Sequence, residues 1–214
     1  VERVADVIFE RCISDRNFSY NGARLCDHLS KNLHGGSQSG DGAQSPGKQF
    51  RELLVKKCMR EYDARCTLLE SNPGRLRGVT FFVAELYASL DIVEDNVVSK
   101  CDLLGESLME LLSVLMSRVD DENVKALCQV FKLSGRYLDG MEKRLGVPPP
   151  TKMDQLMEEL ETLANSNPSE LGVQRYIHSM LGNVLELRRC NWGQPKGETG
   201  QGRSNERDAV KRKR

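Results

Sequence analysis

The sequence carries almost none of the features that announce catalytic chemistry. Its cysteines, Cys12, Cys26, Cys58, Cys66, Cys101, Cys128 and Cys190, include no C-x-x-C pair, so zinc ribbons and thioredoxin-like redox motifs are excluded. Histidine is scarce. His28, His34 and His178 form no H-E-x-x-H motif and read as ordinary surface or half-buried side chains rather than metal ligands. Aromatic residues make up 6% of the chain, too few for a stacking platform on single-stranded RNA. No apolar run approaches the length of about 18 residues that a membrane-spanning helix needs, and no secretory leader pattern opens the chain. A phosphate-binding loop is missing too, because Gly47-Lys48 is followed by Gln49 and no strand precedes it. The neighbouring acids Asp120-Asp121 and Glu158-Glu159 point about 100° apart on a helix and cannot share one reacting bond. These residues imply no catalytic group, no metal, no cofactor and no membrane span, and so a protein that is not an enzyme.

What is present is a globular balance. The 214 residues are 39% hydrophobic and 29% charged, enough for one sizeable domain. Lys and Arg total 31, as do Asp and Glu, and zero net charge argues against the whole chain being a basic nucleic-acid binder. The charge is unevenly spread. Residues 195–214 hold seven Lys or Arg against three Asp or Glu, a net of +4, which leaves 24 against 28, a net of −4, in residues 1–194. Most cysteines lie among apolar positions, where a thiol packs as a small hydrophobe, as expected of reduced cysteines in a cytosolic protein.

Apolar residues recur every three to four positions between turn signals, the mark of amphipathic helices. Val1, Val4, Ala5, Ile8 and Cys12 outline a first helix, which the chain enters at its first residue, as a piece of a longer protein would. Ser19 is the expected cap of a second, carrying Ala23, Leu25, Cys26, Leu29 and Leu33. Residues 34–48 read as a flexible Gly- and Ser-rich loop. A long helix with Phe50, Leu54, Cys58, Tyr62 and Cys66 inward then runs to the Asn72-Pro73-Gly74 turn. Further helices are expected around Val79–Leu90, over Val98–Val119, from Asp120 to Gly146, from Thr151 to Asn167-Pro168, and from Leu171 to Cys190, the last with Tyr176 and Ile177 inward. No run alternates in the manner of a strand, so no sheet is expected. Eight helices joined by short turns suggest stacked antiparallel pairs of roughly 40–50 residues each, with a plain bundle as the alternative. The organisation expected is a domain over 1–194 and a basic disordered tail over 195–214.

Four segments resemble, in order, the family built on the middle domain of initiation factor 4G. Phe50-Arg51-Glu52-Leu53-Leu54 with Cys58, Glu61 and Tyr62 matches its F-R-x-L-L-x-x-x-C-x-x-E-[FY] signature, and Phe82-Val83-Ala84-Glu85-Leu86-Tyr87 is similar to its F-[IL]-x-E-L-[FY] helix. Leu185-Glu186-Leu187-Arg188 with Asn191-Trp192 resembles its closing L-x-L-R-x-x-N-W. Asn17-Phe18-Ser19-Tyr20-Asn21-Gly22-Ala23-Arg24-Leu25-Cys26 points to the branch that interacts with poly(A)-binding protein.

The resemblance implies an all-α fold of HEAT-like pairs stacked in a right-handed solenoid arc, about four pairs being present and a first pair lying before Val1. It implies a cytoplasmic, non-catalytic regulator of translation initiation that docks the DEAD-box helicase initiation factor 4A, with initiation factor 3, poly(A)-binding protein and mRNA as further partners. An arc of rigid helix pairs could hold two mobile helicase lobes near their closed geometry. The expected helicase contacts are Lys56 and Arg60 on the third helix, and Arg175, Arg188, Arg189 and Asn191 at the carboxyl end. The expected RNA contacts are the tail residues Arg203, Arg207, Lys211, Arg212, Lys213 and Arg214. Alternatives from the residues are a related adaptor of nuclear mRNA processing or decay, with Lys211-Arg212-Lys213-Arg214 as a nuclear signal, and RNA binding through the tail alone. Trp192, the only tryptophan, is expected to pack against the last helix.

Overall fold

The computed structural model describes residues 1–33, 45–94 and 97–194. Four helix pairs form two layers. One layer holds α1 (Glu2–Ser14), α3 (Pro46–Asp63), α6 (Asp102–Met116) and α8 (Lys152–Asn165), and the other α2 (Arg16–Asn32), α5 (Pro73–Ser89), α7 (Asp121–Leu145) and α10 (Arg175–Arg189). In the second layer α2 packs on α5, α5 on α7 and α7 on α10, so each pair is buried mainly against its neighbours. Short helices α4 (Arg65–Ser71) and α9 (Pro168–Leu171) fill two of the links. This is the expected all-helical repeat class.

Local chemistry sets most boundaries. Ser45 caps α3 ahead of Pro46, and Asn72 caps α5 ahead of Pro73 with a 3.0 Å bond from the Arg75 N–H. Asp120 accepts from the Asn123 N–H at the start of α7, and Thr151 with Asp154 forms a reciprocal capping box on α8. Gly146 ends α7 at φ +67, a backbone conformation that costs a side-chain-bearing residue free energy.

Several expectations need correction. Ser19 is not a cap. Asp15 caps α2, and Ser19 lies one turn inside it, 2% exposed. The third helix breaks at Ala64 without Gly or Pro, and Cys66, expected inward on it, lies instead on the short helix that follows and is exposed. A hairpin is present where none was expected. β1 (Ile92–Glu94) pairs antiparallel with β2 (Val97–Ser99), with Val93 opposite Val98, so the helix expected from Val98 begins at Asp102. Gly172, at φ +68, ends α9, and in α10 the buried stripe is Ile177, Leu181 and Val184, so Tyr176, expected inward, is 64% exposed beside it. Val4 and Leu25 are also exposed, each beside the buried stripe of its helix. Of the loop expected over 34–48, residues 34–44, with His34, lie outside the described residues, as does the tail at 195–214, while Pro46–Lys48 already form the first turn of α3, started by the Ser45 cap and Pro46.

The core runs the length of the domain, with Phe50, Phe82, Tyr87 and Phe131 fully buried and Phe9 edge-on to Phe82 at 5.7 Å. Cys12, Cys26, Cys58 and Cys128 are buried in it, and burial pushes the Cys12 and Cys128 thiols up to about 12.

Candidate partner-binding surfaces

Two arginines tie several helices together at opposite parts of the stack. Arg75, at the start of α5, reaches Glu61 on α3 with Nη2 at 2.6 Å and Glu10 on α1 at 2.9 Å. The Arg75 guanidinium holds the Glu10 carboxyl below its usual range. Arg188, near the end of α10, reaches Asp139 on α7 at 2.9 Å and Asp154 on α8 at 2.7 Å. Asp154 is held low first by the Thr151 backbone N–H and then by Arg188.

Beyond α10 the chain makes a 3-10 turn, Asn191–Gly193, with Asn191 and Trp192 both at positive φ. This folds the indole back onto α7. Trp192 Nε1 donates to Asp139 Oδ2 at 2.6 Å, and the ring covers Gly135, where any side chain would collide with it. Trp192 is therefore packed and half-buried against the core rather than free, but its ring lies on α7 and not on the last helix as expected. Glu142, 4% exposed, accepts the Lys152 N–H at 2.8 Å and so caps α8 from α7.

The six expected helicase contacts fall in separate places. Lys56 and Arg60 are exposed one turn apart on α3, and Arg60 lines a small cleft with Asp6, Glu10 and Glu61. The neighbouring Lys57 pairs with Asp6. Arg175 is exposed at the first residue of α10, a helix length from Arg188, Arg189 and Asn191. Arg189 is 66% exposed and loosely paired with Glu161 at 3.4 Å, whereas Arg188 spends its guanidinium on Asp139 and Asp154. Asp139, Gly135 and the Arg188 bond of Asp154 are not visible in the sequence because those partners lie far along the chain, and Glu142 because its partner lies across the turn between α7 and α8. Two glycines interrupt the α7 pattern, Gly135 and Gly140, and nothing local marks Gly135 as the one a ring covers.

Among the described residues no helix is long and apolar enough to cross a membrane, and no three His, Cys, Asp or Glu side chains gather to hold a metal ion.

Comparison with known proteins gives the chain a family model and relatives. The model of the MIF4G domain matches residues 1–191. Polyadenylate-binding protein-interacting protein 1 of Xenopus laevis is 30% identical over 90% of this chain and 39% of its own length. Eukaryotic translation initiation factor 4 gamma 3 of Homo sapiens is 24% identical over 92% of this chain and 13% of its own. CBP80/20-dependent translation initiation factor of Xenopus tropicalis is 23% identical over 88% and 28%. The chain thus spans well under half the length of these relatives.

Proposed function

This chain belongs to the MIF4G domain family, and on that premise we propose that it is a non-catalytic, cytoplasmic regulator of translation initiation, a helical scaffold that binds the DEAD-box helicase initiation factor 4A. The observation that carries the reading is the 30% identity, over 90% of this chain, to a relative named for interacting with polyadenylate-binding protein. The helicase comes from the resemblance of its four motif segments to the middle domain of initiation factor 4G. Initiation factor 3, poly(A)-binding protein and mRNA are the further partners of the same reading.

The proposed helicase contacts are Lys56 and Arg60 on one side and Arg175, Arg189 and Asn191 on the other, with Arg188 fixing the end of α10 from which Arg189 and Asn191 project. Arginine and lysine suit the acidic and polar loops of a helicase lobe. A single rim contact contributes about 0.2–1 kcal/mol, so paired changes are needed. The test is calorimetric titration of the helicase with the parent chain, with Lys56→Glu/Arg60→Glu and with Arg175→Glu/Arg189→Glu. Micromolar or tighter binding by the parent and weaker binding by either pair are expected. Equal binding by all three would reject these sites, and no binding by the parent would reject the helicase reading. The tail residues Arg203, Arg207, Lys211, Arg212, Lys213 and Arg214 are proposed as weak RNA contacts. Deleting 195–214 should remove a salt dependence no steeper than about −3 to −4 in log–log slope.

A further inference from the structure

We propose that the cleft between the α1–α2 corner, α5 and α7 is a docking site for an extended acidic segment of a partner protein, seated by one bulky apolar side chain. The site is separate from the residues offered to the helicase, which lie on α3, on α10 and in the turn beyond it, and it does not rest on that reading.

The cleft holds about 190 Å³. Small-molecule and cofactor pockets run about 300–1,000 Å³, so this one suits a single large side chain. Its floor is apolar, with Ile13 and Ala126 buried and the Phe81 ring half-buried. Its rim is cationic. The Arg16 guanidinium lies 4.1 Å from the centre of the Phe81 ring, Arg77 donates to the Asn123 amide oxygen at 3.0 Å, and Lys125 projects from α7. Among the described residues none of these three cations sits in an ion pair, whereas Arg75, Arg144 and Arg188 are each bonded to carboxylates. Two and three turns past Lys125, Lys132 and Arg136 continue the same face of α7, both exposed. Residues 1–194 are net negative, so cations gathered here run against the composition of the domain. One acid lines the cleft, Glu122, and Glu85 lies close enough to Arg16 to feel its charge, though burial is the stronger influence on it.

Gln129, which also lines the cleft, decides between two kinds of anionic partner. Its side-chain oxygen is buried and accepts no hydrogen bond. A buried acceptor without a donor is costly, and the soft terminal torsion of glutamine lets it turn to a donor offered in the cleft. A phosphate brings only acceptors and a nucleic acid's donors sit on its bases and 2′-hydroxyls, away from its charges, while an extended peptide brings a backbone N–H beside every acidic side chain. The floor, the rim and the orphan acceptor are therefore met together by an acidic peptide with an apolar anchor.

A random peptide display library panned on the full chain should enrich short sequences in which Asp or Glu flanks one bulky apolar residue. A fluorescent copy of an enriched peptide should bind about tenfold or more weakly to Arg16→Glu/Lys125→Glu. It should bind a few-fold more weakly to Gln129→Leu, whose melting temperature should hold or rise because a buried unpaired oxygen is gone. Arg24→Glu, outside the cleft, should bind as the parent does. No enrichment on folded chain, enrichment without acidic residues, or parent-like binding by both cleft variants overturns the proposal. A uridine oligonucleotide that binds more tightly than any enriched peptide and is lost in the double reversal would give the rim to RNA and overturn it as well.

Discussion

Arg75 and Arg188 use the same device, one guanidinium shared by two carboxylates from two other helices, in two different settings. Glu10 is 59% exposed and Glu61 17%, so half of the Arg75 bridge stands in water. At the other bridge Asp139 is 13% exposed and Asp154 39%, and Asp139 also accepts the Trp192 N–H. In water a salt bridge gains little over its hydrated partners. In a partly dry site, removing one member strands the others, and the cost rises to several kcal/mol. The difference teaches that the carboxyl end of this stack is closed by a joint whose parts depend on each other, while the Arg75 bridge is an adjustable tie.

The largest effect expected is at Trp192. Trp192→Ala removes the cover of Gly135 and the donor to Asp139, and should destabilise the chain by about 3 kcal/mol, the low end for an aromatic lost from a core because the ring is half-buried. By thermal unfolding this is a fall of roughly 6–12 °C. An unchanged melting temperature would mean that the indole closes nothing. Asp139→Ala strands both the indole N–H and part of Arg188 and should cost about 2 kcal/mol. Its double-mutant cycle with Trp192→Ala should be clearly non-additive, and simple additivity would dissolve the joint into independent contacts. Arg75→Ala should cost about 1 kcal/mol and Glu10→Ala under about 0.5 kcal/mol. A loss at Glu10 as large as that at Asp139 would erase the contrast between the two settings.

The smallest effect is in pH. Glu10 and Asp154 have folded pKa values depressed below 4.5 and 3.8. Each contributes stability that is present above those values and is lost as pH falls through the lower folded value. Glu85 runs the other way, since burial raises its pKa and its charge costs stability as pH rises. Chemical unfolding between pH 6 and pH 3 should show a loss below about pH 4, less steep in Asp154→Asn. An identical profile in that variant would remove Asp154 from the account.

The parts legible in the sequence are those decided within a few residues. Asp120, Thr151 and Gly146 act on backbone groups next to them, and the structure has each as a helix cap or stop. Ser19 misled because a good capping side chain also fits the buried stripe of α2, where Asp15 had already ended the turn. The hairpin escaped because three-residue strands leave too short an alternation to see, and Val98 fits a helical stripe equally well. The site was less legible than the fold. Arg188 reads as a cation at a helix end, yet its partners lie 49 and 34 residues away and become neighbours only when α7, α8 and α10 are packed. The acidic-peptide cleft is likewise assembled from a helix corner and two helices, with no local signature in any one of them.

The proposed function is that this chain works by holding a helicase, with no chemistry of its own. The most direct measurement is the steady-state ATPase of purified initiation factor 4A, with RNA, titrated with the chain. The account predicts a saturable rise in the helicase rate and no ATP turnover by the chain alone. A rate unchanged at saturating chain, or hydrolysis by the chain without the helicase, would contradict it.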